Sequence, residues 1–179
     1  MTLVRLLALL VLLAFAAPTQ AQDRENMLIL TTRYGDVTIE MRPDLAPRHV
    51  AQIKALTRRG YYDNVPFHRV IDGFMAQTGD GQRGDGTGGS GTKLPAEFSR
   101  ERHVRGVTSM ARTSDPNSAD SQFFIMLAPA PHLDNQYTVW GRVTAGMEHI
   151  DRLKKGAPGS GRVTDPDVIV RMRVAADLP

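Results

Sequence analysis

Arg69 falls inside "FHRVIDGFMAQTGD", Phe67 to Asp80, whose first half alternates as a half-buried strand does, with Phe67, Arg69 and Ile71 on one face. A guanidinium in an apolar row stays protonated and offers several donors in a fixed fork, so its chemistry would be hydrogen-bond donation from a permanent cation beside an apolar wall. Further polar groups recur among apolar and aromatic side chains: Phe74, Met75 and Gln77, then Met110 and Ala111, then Gln122, Phe123 and Phe124. From composition alone Phe74, Met75, Phe123 and Phe124 read as core. Gln77 and Gln122 do not, because a buried amide needs partners. The alternative for Arg69 is a solvated strand edge.

Other chemistries find little support. The chain has no cysteine, which removes disulfides, zinc thiolate sites, cysteine nucleophiles and a lipoprotein-type anchor together. The histidines at 49, 68, 103, 132 and 149 show no metal-ligand spacing, and no G-x-S-x-G turn occurs, so neither a metal centre nor a serine triad is indicated. "GDGTGG", Gly84 to Gly89, satisfies G-x-G-x-x-G, but Gly91 and Pro95 follow where a dinucleotide fold needs a helix, and a surface loop is the better assignment. The formal charge is +3, falling to +2 without Arg5, and the arginines are scattered, which argues against a nucleic-acid partner.

The elements that must position these residues follow from periodicity. "LILTTRYGDVTIEMR", Leu28 to Arg42, reads as a hairpin turning at Tyr34-Gly35-Asp36. Pro47 opens a helix with Ala46, Val50, Ile53 and Leu56 on one face, and Arg58, Arg59 and Gly60 close it. Strand-like runs recur at 65–71, 74–78, 107–111, 122–127, 139–143 and 168–174. Met147, Ile150 and Leu153 mark a second helix. Many short strands with two helices indicate a mainly β fold with a closed or nearly closed antiparallel sheet.

The first 21 residues stand apart. Arg5, the apolar run Leu6 to Ala17 and the small residues before Ala21 have the form of a secretory signal peptide, cut after Ala21 or alternatively after Ala16. The run is short of the roughly 20 apolar residues that span a bilayer. The expected organisation is a signal at 1–21, a tail at 22–26, one domain at 27–174 and a tail at 175–179. It leaves no membrane association after cleavage, and export to a periplasm is preferred over release outside the cell.

Taken together, "FHRVIDGFMAQTGDG", "GDGTGG", "VTSMA", "SQFFIML", "HLDNQYTVWGRV" and "GMEHID" resemble, in order and spacing, the signature segments of the cyclophilin-type peptidyl-prolyl isomerases, from about Leu28 to Val174. The resemblance implies a closed eight-stranded antiparallel barrel capped by two α-helices, with the groove on its outside. It implies catalytic roles for Arg69 and Gln77. Phe74, Met75, Phe124 and Leu133 would form the proline pocket, Gln122 would lie along the groove, Gly86 would stand at its edge, and the Ala111-Arg112 backbone would hold the peptide. It implies no cofactor or metal, and as partners proline-containing unfolded or flexible polypeptides met by a monomer. His132 stands where many members carry tryptophan, Tyr137 replaces a histidine found in several, and Arg112 replaces a common asparagine. The first of these departures implies weak cyclosporin binding. The alternatives are a proline-segment chaperone of the same fold with little turnover, and a barrel holding a small apolar ligand.

Overall fold

The computed structural model describes residues 24–179, and the expected signal peptide lies outside the described residues. Alternation in β1 (Met27–Thr32) and β2 (Gly35–Met41) turns Leu28, Leu30, Val37, Ile39 and Met41 inward, and the two strands pair as the expected hairpin. Its turn is Arg33-Tyr34, one residue before the expected place, because Gly35 is already paired with Thr32.

Helix α1 (Pro47–Arg58) buries Val50, Ile53 and Leu56. Its start, at Ala46, has no side-chain cap of its own. Glu97, from a distant loop, accepts from the Arg48 N–H and from the His49 N–H and Nδ1, the last at 2.7 Å, and so supplies the charge that a helix N-terminus favours.

The remaining strands are β3 (Val65–Pro66), β4 (Arg69–Ile71), β5 (Met75–Thr78), β6 (Val107–Met110), β7 (Phe123–Met126), β8 (Val139–Ala145), β9 (Val168–Ile169) and β10 (Arg171–Val174). The short helix α2 (Met147–Asp151) follows β8. Eight of these strands form one antiparallel sheet in the order β10-β1-β2-β8-β6-β7-β5-β4.

This sheet is an open half-barrel, which corrects the expected closed barrel: its edges β4 and β10 do not pair. The runs 65–71 and 168–174, expected to be continuous, each break in two. Pro66 has no N–H to give a ladder, and the β3–β9 ladder covers only Val65–Ile169 and Pro66–Val168. The Phe67 N–H then turns to the Asp167 carbonyl at 2.9 Å. The same break corrects the expected face of Phe67, which joins Val70 in the core while Arg69 and Ile71 lie half-buried on the other side. The free edge of β4 is covered by the turn 156–162, where the Val70 N–H donates to the Gly161 carbonyl and the Gly156 N–H to the Val70 carbonyl, both at 2.8 Å.

Strands β6 and β7 are buried on both faces. Inward, Met110, Phe123 and Ile125 join Trp140, Tyr62 and the apolar stripe of α1. Outward, Val107, Phe124 and Met126 join Met75, Leu133 and Val139 in a second cluster. Full burial of one such side chain contributes roughly 1.5–3 kcal/mol, more than a surface ion pair at about 0–1, so packing on both faces sets these strands. The segments beside the domain are joined rather than free: Arg24 donates to the Ala175 and Leu178 carbonyls, and Arg58 bridges Glu25 and Asp177.

Candidate active site

Strand register builds the site. Arg69 of β4 stands opposite Gln77 of β5, Gln77 opposite Phe124 of β7, and Phe124 opposite Ser109 of β6, so one row crosses the outer face of the half-barrel. Because side chains alternate, Met75 and Met126 lie on the same outer face two positions along. Phe74, at the turn before β5, and Leu133, in the one-turn 3-10 helix Pro131–Leu133, close over this row. The resulting pocket has a volume of 220 Å³ and is lined by Arg69, Phe74, Met75, Gln77, Ala111, Arg112, Phe124, Leu133 and Tyr137. A second hollow of 390 Å³ shares Gln77, Ala111 and Arg112 with it and continues along Gly86, Gln122 and Lys93.

The guanidinium is held from two sides. Its Nε donates to the Ser160 carbonyl at 3.0 Å and its Nη1 faces Gln77 Oε1 at 3.4 Å. Gln77 Nε2 donates to Gln122 Oε1 at 3.0 Å, and Gln122 Nε2 donates to the Gly86 and Gly88 carbonyls at 2.9 and 2.8 Å. Both glutamine amides thus have the partners that their partial burial requires, and the polarity of the chain leaves an acceptor facing Arg69. The Gly86–Gly88 loop is itself tied to Asp80, whose Oδ2 accepts from both glycine N–H groups at 2.9 Å. Burial works against ionisation of Asp80, but the N–H groups of Arg83, Gly88, Gly86 and Gly84 outweigh it and hold the carboxyl below its ordinary range. Gly86 has φ of 90°, and a Cβ there would come within 2.8 Å of the His68 ring, so only glycine lets the loop close over His68.

Every expected site residue is found on this face, though not all in one pocket. Gln122 and Gly86 line the larger hollow, and His132 stands exposed at the rim, stacked on Phe74 with ring centroids 5.7 Å apart. The Ala111 N–H is taken by the Gln122 carbonyl at 2.9 Å. Arg112 lies over Tyr137 at 4.5 Å, and Tyr137 packs edge-on against Phe124 at 5.6 Å.

Sequence reasoning missed two supports. One is the Ser160 carbonyl, 91 residues from Arg69 and invisible to any side-chain motif. The other is a hydrogen-bonded Ser109–His103–Asp134 chain behind the pocket, with Ser109 Oγ to His103 Nε2 at 2.9 Å and His103 Nδ1 to Asp134 Oδ1 at 3.0 Å. Its residue types are those of a nucleophilic triad, yet Ser109 is 0% exposed and His103 1%, so no carbonyl reaches the hydroxyl. The chain instead braces the wall: the His103 ring stacks on Phe124 at 6.3 Å and meets Tyr137 at 6.4 Å. Burial lowers the His103 pKa more than Asp134 raises it, which favours a neutral ring.

These features define a class: an antiparallel half-barrel whose outer groove sets a fixed cation beside an apolar slot. The family model described as "Cyclophilin type peptidyl-prolyl cis-trans isomerase/CLD" matches residues 27–174. A Brucella suis protein named "Probable peptidyl-prolyl cis-trans isomerase" is 53% identical over 169 residues, covering 88% of this chain and 86% of the relative. An Aspergillus oryzae "Peptidyl-prolyl cis-trans isomerase-like 1" is 42% identical, over 82% of this chain and 93% of its own length. Among solved structures, the cyclophilin AquaCyp293 of Hirschia baltica superposes with a TM-score of 0.79 at 31% identity, over 88% of this chain and 76% of that one. A Cryptosporidium parvum cyclophilin-type isomerase, crystallised in the presence of the dipeptide Ala-Pro, does so with 0.75 at 30%, over 83% and 98%. The chain belongs to the cyclophilin-type peptidyl-prolyl cis-trans isomerase family, and its activity is that of an isomerase.

Proposed function

We propose that the 220 Å³ pocket takes the proline ring of a flexible polypeptide against Phe74, Met75, Phe124 and Leu133, and that Arg69 speeds rotation about the preceding peptide bond. The supporting observation is the register that sets a guanidinium, held at Nε and facing Gln77, at the mouth of an apolar slot. A relative of the same fold crystallised with Ala-Pro present supports proline as the occupant.

The X-Pro bond has cis and trans forms of similar energy, separated by a barrier of roughly 18–20 kcal/mol because the nitrogen shares its lone pair with the carbonyl. At mid-rotation that sharing is broken and the nitrogen carries a free lone pair. A donor aimed at it binds the twisted state better than either planar isomer, which is the condition for acceleration. The Nη groups of Arg69 are suited to this, since Ser160 has already oriented the fork through Nε. Gln77 and Gln122 keep the fork in place, and the backbone at Ala111 and Arg112 holds one side of the peptide while the other turns.

The physiological role we infer is assistance to the folding of exported proteins by a monomeric enzyme in a periplasm. Support comes from Arg5, the apolar run Leu6 to Ala17 and the small residues before Ala21. Cell fractionation with sequencing of the mature N-terminus tests this; recovery in the cytoplasm with residues 1–21 intact would refute it. His132 in place of an indole is the basis for expecting weak cyclosporin binding.

Cis-to-trans exchange of a short X-Pro peptide tests the mechanism. Arg69→Ala is expected to lose about a hundredfold in kcat/KM and Arg69→Lys about tenfold or more, the range for loss of one transition-state donor. Equal rates for wild type and Arg69→Ala would remove Arg69 from the reaction. Peptide binding without acceleration by the wild type would make the protein a chaperone of this fold.

A further inference from the structure

Arg112 joins the two hollows of the groove and departs from a plain backbone role. Its Nε and Nη2 donate to the Gln136 carbonyl at 3.1 and 2.9 Å, its Nη1 donates to the Thr113 carbonyl at 2.8 Å, and its plane covers Tyr137. All of these partners are neutral, so the cation is fixed in place with its charge uncompensated. Lys93 lines the larger hollow and Arg69 the smaller. Among the described residues none of these three cations has a carboxylate within ion-pair distance.

The acids nearby are held in place by neutral donors and point to none of the three cations. Asp120, the one carboxylate lining either hollow, accepts from the Ser90 and Gly91 N–H groups at 2.8 and 2.9 Å and from the Ser90 hydroxyl. Asp80 is enclosed by loop N–H groups, and Asp85 is bound to Thr87. Hydrogen bonds from neutral donors leave those carboxylates charged, but the lining of the two hollows still carries three cations, Arg69, Arg112 and Lys93, against the single carboxylate Asp120, and such an excess selects its ligand by sign.

Resting on the isomerase reading of this groove, we propose that the enzyme prefers proline segments with an acidic side chain within three residues of the proline, and that Arg112 is the main specificity residue, with Lys93 second. Three residues of extended chain span about 10 Å, close to the screening length of roughly 8–10 Å, beyond which exposed charges no longer sense each other. The rigid guanidinium, unlike a mobile surface lysine, loses little further freedom on meeting a carboxylate.

The test uses one X-Pro peptide with Glu, Gln or Lys placed in turn at each flanking position, reading both kcat/KM and peptide affinity at low and high salt. For the wild type the Glu peptide is expected to exceed the Lys peptide by about three- to tenfold at its best position at low salt, with the ratio shrinking as salt rises. In Arg112→Gln the ratio is expected to fall to about twofold or less, and Arg112→Lys is expected to retain only part of it, because lysine keeps the charge but not its fixed position. Equal rates and affinities for the Glu and Lys peptides, or a ratio unchanged in Arg112→Gln, would overturn the proposal. Failure to turn over the Gln peptide would instead defeat the isomerase mechanism, and the affinities would still decide the charge preference.

Discussion

At Arg69 the functional distinction lies in which donors are already spent. Ser160 takes Nε, and a directed amide chain running from the Gly86 and Gly88 carbonyls through Gln122 and Gln77 presents an oxygen to Nη1. Removing Gln122 leaves the Gln77 amide free to reverse and so removes the acceptor that steers the guanidinium. Gln122→Ala is expected to lower kcat about tenfold with little change in KM, since misplacement by about 1 Å costs up to roughly a hundredfold. Peptide exchange measured across substrate concentrations checks it; a KM rise at constant kcat would show that Gln122 only binds. Arg69, Gln77, Gln122 and Phe124 were legible in the sequence because residue type and family spacing mark them. His103 and Ser109 were not, because their role is one of contact behind Phe124 and carries no local motif.

Among the elements, the 156–162 turn matters as much as the strands. It covers the edge of β4 and aims the Ser160 carbonyl at Arg69. Gly161 makes this approach possible: it has φ of 71°, and a Cβ there would meet Ile71 Cγ1 at 2.3 Å and Arg69 Cγ at 3.3 Å. Gly161→Ala is expected to cost about 1 kcal/mol or more in stability and several-fold in kcat/KM, as the turn withdraws from β4. Denaturant unfolding beside peptide exchange measures both, and full activity with only a stability loss would show that Ser160 does not position Arg69. Helix α1 was readable because Pro47, a 3.6-residue apolar stripe and Gly60 all agree. The strand runs at 65–71 and 168–174 read too long, since alternation continues through them while the hydrogen bonds do not: Pro66 has no donor, and the Phe67 N–H finds Asp167 outside the sheet.

The whole molecule carries two buried imidazoles with lowered pKa values, His68 and His103, and burial is the main cause in each case. Asp80 and Asp85 act against it at His68 while Arg69 adds to it; Asp134 acts against it at His103 while His132 adds to it. Since both fall below the ordinary 6.5, the unfolded chain takes up protons that the folded chain refuses. Stability is thus expected to be full above about pH 6.5 and to decline below it, by no more than about 2 kcal/mol per imidazole at pH 5. A second decline is expected below about pH 4, where Asp63, Asp151 and Asp177 lose their arginine partners. Urea unfolding from about pH 2 to pH 8 checks both declines; greater stability at pH 5 than at pH 7 would contradict the first, and a flat profile below pH 4 the second. By itself the sequence determined the class of fold, the helix and hairpin, and the residue types of the groove, because periodicity and family spacing are local records of burial and chemistry. Only the tertiary structure decided that the barrel stays open, that a remote carbonyl orients Arg69, and that three cations and a single carboxylate come to line the groove. Those outcomes depend on which hydrogen bonds distant segments form once packed, and no neighbour in sequence records them.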